Sequence, residues 1–358
     1  MLEQYHNTEY CGPTPGRRGF LQGAAMFAAG VAVGGRAGAA EPAAPTPSNT
    51  NTEPVPHRTL GKTGAKVSAM GIGGYTLGDA PTLDEAKQIV AEAMDAGINF
   101  FDNAWEYHDG KSEQWMGEAL AGRRDKAFLM TKVCTHGRDK KVAMTQLEES
   151  LKRLKTDHLD LWQIHEAVYW DDPDRHFAKG GVVEALDEAK KQGKTRFVGF
   201  TGHKDPQIHL KMLSYGYAFD TAQMPLNCFD ATYRSFERQV VPEMNRRGMA
   251  VLGMKSLCGG GPGIIDAPVT AQEALHYAMS LPVATTISGI DSLAVLHQNL
   301  AVARGFKPLD EKQMQALRDR CAQAAGDGHL ELYKSTKKFD GNIGREQHGF
   351  PPSAKLPL

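Results

Sequence analysis

From residue 57 onward the chain alternates between short apolar runs and longer stretches whose apolar positions recur every three to four residues, the signature of strand followed by amphipathic helix. Strands are expected at 67–72, 98–101, 128–131, 159–164, 196–200, around 221–222, 250–253 and 284–287. Helices are expected near 83–96, 111–121, 141–155, 180–192, 205–214, 232–247, 270–279 and 292–303, with an extra one at 310–325. Eight strand–helix units, every strand apolar enough to be covered on both faces, predict an α/β fold closed as a (β/α)8 TIM barrel rather than an open sheet. No Gly-x-Gly-x-x-Gly stands at a strand-to-helix turn, which argues against an ordinary Rossmann domain. Ahead of the first strand, the run Arg58-Thr59-Leu60-Gly61-Lys62-Thr63-Gly64-Ala65-Lys66-Val67 reads as a tight N-terminal β-hairpin able to plug the barrel bottom.

Before residue 57 the pattern is different. Gly16-Arg17-Arg18-Gly19-Phe20-Leu21-Gln22-Gly23 opens an uncharged Ala/Gly-rich stretch that ends at Ala37-Gly38-Ala39-Ala40, giving a positive head, an apolar middle and a small-residue cleavage site. Paired Arg17 and Arg18 resemble a twin-arginine export signal, although Gly16 and Gln22 depart from the usual Ser/Thr and Lys. At roughly 16 residues the apolar stretch falls short of the ~20 that span a bilayer comfortably, so no stable membrane span is expected and an uncleaved anchor is the alternative to cleavage. Residues 41–56, rich in Pro, Thr and Asn, read as a tether. The chain thus divides into a signal at 1–40, a linker at 41–56, a barrel at 57–330 and a C-terminal tail at 331–358 that crosses the barrel mouth or packs as a clasp. Removing residues 333–358 is expected to raise KM more than it lowers the melting temperature.

Charge and cysteine content narrow the classes of function. With 41 Lys+Arg against 42 Asp+Glu, the 358-residue chain has no electrostatic reason to bind nucleic acid. Five cysteines without a Cys-x-x-Cys pair, and no His-x-His after the first strand, give no expectation of a metal.

In a (β/α)8 barrel the chemistry gathers at the carboxyl ends of the strands. The first polar residues there are Asp102, Lys132, His165, Thr201, Gln223, Lys255 and Ser288. Tyr107 lies five residues beyond Asp102, close enough to fold back over the same mouth. A phenol near pKa ~10 is a poor acid at neutral pH, and bringing it to about 8 takes about 2.7 kcal/mol of differential stabilisation, which a neighbouring lysine is expected to supply. Asp102 would hold the Lys132 head, and His165 would donate to an oxygen of the substrate. The set suits delivery of a proton to a carbonyl oxygen.

Arg58-Thr59-Leu60-Gly61-Lys62-Thr63-Gly64, Phe101-Asp102-Asn103-Ala104, Leu129-Met130-Thr131-Lys132 and Leu159-Asp160-Leu161-Trp162-Gln163-Ile164-His165 resemble, in order and spacing, the aldo-keto reductase family over roughly residues 57–303. The resemblance implies a nicotinamide dinucleotide cofactor and a catalytic tetrad of Asp102, Tyr107, Lys132 and His165. It also implies cofactor contacts at Thr201, Gly202, Gln223, Met254, Lys255, Ser256, Leu257, Ser288, Gly289, Ser292, Gln298 and Asn299. Two positions depart from the family pattern. Gly202 stands where an Asn often holds the carboxamide, leaving His203 as a substitute, and Met254 stands where an aromatic ring usually stacks. Family habit favours NADP(H), while Asp291, standing where NADP users carry a cation, suits NAD(H).

Tyr75, Trp105, His165, Tyr169 and Trp170 are the candidate substrate-pocket residues, an aromatic rim suited to an aldehyde or ketone, sugar-like compounds included, or to the corresponding alcohol. Two other functions use the same barrel: a dinucleotide-binding module without significant turnover, and a Schiff-base lyase acting through Lys132 or Lys255. The partners expected are a small-molecule substrate and the twin-arginine export machinery, and the expected location is the periplasm. Mass spectrometry of the protein from its native host is expected to find a mature N-terminus near residue 41; a chain beginning at Met1 would overturn the cleaved signal.

Overall fold

The computed structural model describes residues 52–260 and 268–356. The expected signal and residues 41–51 of the linker lie outside the described residues. The folded unit begins slightly before His57: the Val55 side chain is buried, its N–H donates to Ala96 O at 2.9 Å, and Ala69 N–H donates to Pro56 O.

His57–Thr59 (β1) and Lys66–Ser68 (β2) form an antiparallel hairpin. The barrel strands are Met70–Gly73 (β3), Phe100–Asp102 (β4), Phe128–Val133 (β5), Leu159–Ile164 (β6), Thr195–Thr201 (β7), Thr221–Pro225 (β8), Ala250–Met254 (β9) and Thr285–Gly289 (β10). All neighbours pair in parallel, and β10 closes the ring on β3 with Thr286 opposite Met70. The helices that cover the strands include Leu83–Asp95 (α1), Lys111–Ala119 (α2), Lys140–Leu154 (α3), Val182–Lys191 (α4), Pro206–Ser214 (α5), Ala271–Ser280 (α6), Leu293–Ala303 (α7) and the extra Glu311–Ala325 (α8). Several start on the caps their sequences offer: the Thr82 and Ser292 side chains accept from Glu85 and Val295 N–H, and Thr270 and Asp310 complete capping boxes with Glu273 and Gln313.

Two elements differ from their expected form. The single strand at 67–72 is divided between hairpin and barrel, because Ser68 Oγ donates to Met70 O and accepts from Asn99 N–H, bending the chain at Ala69. The single helix at 232–247 is two pieces, Phe236–Gln239 and Val241–Arg246. Its start is delayed because the buried Asp230 carboxylate takes the N–H groups of Phe236 and Glu237, and Pro242 opens the second piece in its first turn.

Leu60 and Val67 of the hairpin are fully buried in one apolar cluster with Phe100, Phe128, Leu161 and Leu252, which fills the barrel interior from below. At this lower end an open cleft of about 660 Å³ is lined by Arg124, Asp160 and Arg196, and Asp160 is paired with both arginines. It lies at the opposite end from the strand carboxyl termini, the end whose residues serve stability in barrels of this kind.

The tail crosses the upper end. Its turns Leu332–Ser335 (α9) and Asn342–Gln347 (α10) touch the loops that follow β5, β8 and β9, and Asp340 and Gly341 between them touch those that follow β7 and β6. Lys334 is fully buried and donates to Asp230 Oδ1 at 2.5 Å, Glu331 Oε2 at 2.8 Å and Tyr233 O at 2.9 Å. Tyr333 donates to Glu331 and accepts from Asn227. The tail is therefore packed into the rim, and its removal is expected to lower the melting temperature as well as to raise KM, because cutting at 333 leaves the Asp230 carboxylate buried without its cation. Lys334→Met should cost about 3–5 kcal/mol in urea denaturation, because it strands two buried carboxylates; a loss below 1 kcal/mol would show that the tail is not held this way.

Candidate active site

Each member of the expected tetrad sits at the carboxyl end of its strand or in the loop just beyond. Asp102 ends β4, Lys132 is the penultimate residue of β5, and His165 follows β6. Tyr107 is brought back by a turn in which His108, Asp109 and Gly110 all take left-handed backbone, a conformation that costs energy at the two non-glycine positions. The loop is braced from outside. Arg153 of α3 donates to Trp105 O and Glu113, and Glu113 accepts from Thr131 Oγ1 at 2.6 Å.

Lys132 is 1 % exposed. Its Nζ donates to Asp102 Oδ1 at 2.5 Å and Asn103 O at 2.7 Å, and lies 3.3 Å from Tyr107 Oη. With all three positions taken, it is poorly placed as a Schiff-base nucleophile. The Tyr107 ring meets His165 edge-on at 5.6 Å between centroids and Tyr75 at 5.3 Å. Burial, reinforced by the carboxylates of Asp102, Glu106 and Glu166, pushes the Tyr107 phenol well above its usual value. This corrects the expectation that Lys132 lowers it: the acid keeps its proton, and the ammonium stands ready to stabilise the phenolate left after transfer.

Sequence reasoning missed Glu106. Its Oε1 pairs with His165 Nδ1, and its Oε2 is buried without a partner. Burial works to raise this carboxyl, but the adjacent His165 outweighs it and carries the carboxyl below its usual value. A carboxylate on Nδ1 fixes the orientation of the ring and leaves Nε2 as the ring nitrogen that can face a ligand. The only signal was an acid beside the tyrosine, and such acids usually face water.

The expected cofactor residues line the rim from β7 round to α7. Gln223 is buried, with Nε2 3.5 Å from Asp102 Oδ2 and 3.7 Å from Met254 Sδ, and its Oε1 has no partner. Thr201 is drawn into the loop after β6, accepting from Glu166 N–H at 3.1 Å. Gly202 packs so tightly that a Cβ would lie 2.4 Å from Ala167 O, so no asparagine fits this backbone. The neighbouring His203 is buried with Nε2 unpartnered, and burial together with Lys255 lowers its pKa well below the usual value, leaving it neutral. Lys255 stands over the Tyr333 ring at 5.5 Å, followed by buried Ser256 and half-buried Leu257. Ser288 and Gly289 end β10; Ser288 Oγ accepts from Asn299 Nδ2 at 3.0 Å, Ser292 caps α7, and Gln298 is half-buried on that helix.

The aromatic candidates separate. Tyr75 and His165 stand against Tyr107. Trp105 turns outward to α3, donating from Nε1 to Glu149 at 2.7 Å, and Trp170 is 61 % exposed. Tyr169 packs on His348 and Phe350 of the tail. The tail itself reaches the site: Gly341 N–H donates to Glu166 Oε2 at 3.0 Å, next to His165, and Asp340 pairs with Lys204 at 2.5 Å.

The chain is similar to known proteins in sequence and fold. The Aldo/keto reductase family profile matches residues 69–261. The chain is 25 % identical over 311 residues to the oxidoreductase YqkF of Bacillus subtilis (strain 168), covering 76 % of this chain and 98 % of the relative. It is 30 % identical over 251 residues to the methylglyoxal reductase YeaE of Escherichia coli (strain K12), covering 65 % of this chain and 84 % of that protein. Among solved structures, the holo form of an aldo-keto reductase from Bacillus halodurans superposes with a TM-score of 0.63 at 25 % identity, covering 77 % of this chain and 99 % of the other. The chain belongs to the aldo/keto reductase family and is an oxidoreductase built on its TIM barrel.

Proposed function

We propose that the protein reduces an aldehyde or ketone to the alcohol with NAD(P)H, Tyr107 acting as the general acid. The observation that carries this reading is the convergence of Lys132, Asp102, Tyr107 and His165 at one mouth, with the phenol protonated and an ammonium 3.3 Å from its oxygen. Proton delivery leaves charge on Tyr107 Oη, and Lys132, anchored by Asp102, stabilises that charge where it forms. His165, fixed by Glu106 and edge-on to Tyr107, holds the carbonyl in place beside that acid.

Members of the family work with a nicotinamide dinucleotide, which when bound supplies the hydride. The residues present fit such a group: the buried, unpartnered Gln223 Oε1 and His203 Nε2 suit a carboxamide that both donates and accepts. Gln223, His203 and Thr201 would hold the nicotinamide end, Met254 would pack against it, and Lys255, Ser256, Leu257, Ser288, Gly289, Ser292, Gln298 and Asn299 would serve the phosphates and adenosine. Tyr75 lies beside the acid and would shape the substrate site. The methylglyoxal reductase relative supports a small carbonyl compound as substrate.

We also propose that residues 1–40 are a twin-arginine-type signal that sends the folded protein to the periplasm. No helix among the described residues is long and apolar enough to cross a membrane. A compartment without a free pool of nicotinamide nucleotide calls for a cofactor that travels with the protein and is recycled in place.

Tyr107→Phe should lower kcat for carbonyl reduction by a factor of about 10³ or more while dinucleotide affinity, followed by fluorescence titration, stays within about twofold. Persisting activity would overturn the acid assignment. The reductive rate should stay level as pH rises toward 10 rather than falling from about 8, as a phenol lowered by Lys132 would require. The NADPH to NADH ratio of kcat/KM should exceed one; a lower ratio would assign the preference to NAD(H) and to Asp291.

A further inference from the structure

Three residues far apart in the chain meet at the barrel mouth beside the tail. His136 lies in the loop after β5, Asp172 opens the helical turn Asp172–Phe177 after β6, and His348 follows α10. Each offers one ligand atom, and no two of these atoms are more than 4.8 Å apart. Asp172 Oδ1 is 2.9 Å from His348 Nε2 and 3.4 Å from His136 Nδ1. Donors bound to one tetrahedral zinc ion at ~2.1 Å lie about 3.4 Å from one another, so two of the three spans are already close to that figure.

We infer that His136, Asp172 and His348 form a binding site for a zinc-class divalent transition metal, which ties the C-terminal tail across the mouth of the barrel. Two imidazoles and a carboxylate are a borderline-soft donor set suited to such an ion and unsuited to calcium or magnesium. The site is built, not superficial. Asp172 and His136 are fully buried, and the His348 side chain is 4 % exposed. The second oxygen of Asp172 is held by the N–H groups of Val168 and Tyr169 at 2.9 and 2.8 Å, which aims Oδ1 at the two histidines. His348 Nδ1 faces the Asp171 carboxylate at 3.8 Å, the carboxylate–histidine support that metal-bound imidazoles commonly carry. His136 takes left-handed backbone (φ 44°), so its placement is imposed at a cost.

An independent observation points to a missing ligand. His176 lies one helical turn beyond Asp172 and is fully buried, and neither of its ring nitrogens has a partner. A buried imidazole with both nitrogens unsatisfied is costly and marks a polar pocket beside the three donors, although its ring is not among those that converge within 4.8 Å. The tail closes the site: a Cβ on Gly344 would lie 2.1 Å from His136 Nε2, so the α10 backbone rests directly on that ring. The same tail places Gly341 N–H on Glu166 beside His165, which couples occupation of the site to the position of the segment over the active site.

The test uses the tag-free full chain, treated with chelator and titrated with Co2+ and Zn2+. The expected result is one equivalent of Co2+ bound with the visible absorption of a tetrahedral complex, displaced by Zn2+, and lost in His348→Ala and in His136→Gln. Zn2+ should raise the melting temperature of the parent chain and leave that of His348→Ala unchanged. Because His348→Ala also removes packing against Tyr169, its melting temperature is compared in chelator: a loss there equal to its loss in Zn2+ marks a histidine–aspartate hydrogen-bonded cluster and overturns the proposal. Absence of saturable one-to-one binding, or binding that survives both substitutions, overturns it as well.

Discussion

An ammonium group enclosed at the mouth of a barrel must be surrounded by acceptors, and the arrangement around Lys132 follows from that need. Asp102 on the neighbouring strand supplies the opposite charge, Asn103 O the second acceptor, and Tyr107 Oη lies at the third position. In the register of these adjacent parallel strands Phe101 stands opposite Leu129, so Lys132 lies two positions further along β5 than Asp102 does along β4, and the long lysine side chain spans the offset. The loop between Asn103 and Glu113 is then pulled inward, and the left-handed turn at His108 and Asp109 is the conformation that lets it return to α2.

The same constraint operates a second time on the tail. Lys334 is as deeply buried as Lys132 and finds Asp230, Glu331 and a backbone carbonyl. Asp230 serves two tasks at once, neutralising Lys334 and taking the N–H groups that open the helix at Phe236. The segment after β8 and the C-terminal segment are therefore packed together through one carboxylate, and the rim of the barrel is completed by the tail as well as by strand–helix loops. This explains how a tail with only two short helical turns can be packed as tightly as the core.

Much of this was readable along the chain. Helix limits such as 83–96, 292–303 and 310–325 agree with the observed ones to within a residue or so, because the caps at Thr82, Ser292 and Asp310 act over three residues. The tetrad residues were legible because strand periodicity and the first polar residue beyond each run are local features. The break at Ala69 and the late start at Phe236 were not, because both depend on side chains, Ser68 and Asp230, making bonds that hydrophobic patterning does not report. The rim aromatics show the same limit: Trp105 turns outward only because Glu149 and Arg153 are there to receive it.

What the sequence by itself determined was the eightfold alternation, the hairpin beneath it and the identity of the residues at the strand ends, all consequences of spacing within a few residues. What only the tertiary structure decided was the company those residues keep. Whether Lys132 would lower the Tyr107 phenol or be outweighed by burial and three carboxylates depends on distances between different loops. Glu106 reaches His165 across 59 positions, and Asp172 meets His136 and His348 across 36 and 176. Electrostatic and coordinating interactions act over a few ångströms of space, and closure of the barrel, which brings all eight strand ends and the tail to one rim, sets those ångströms.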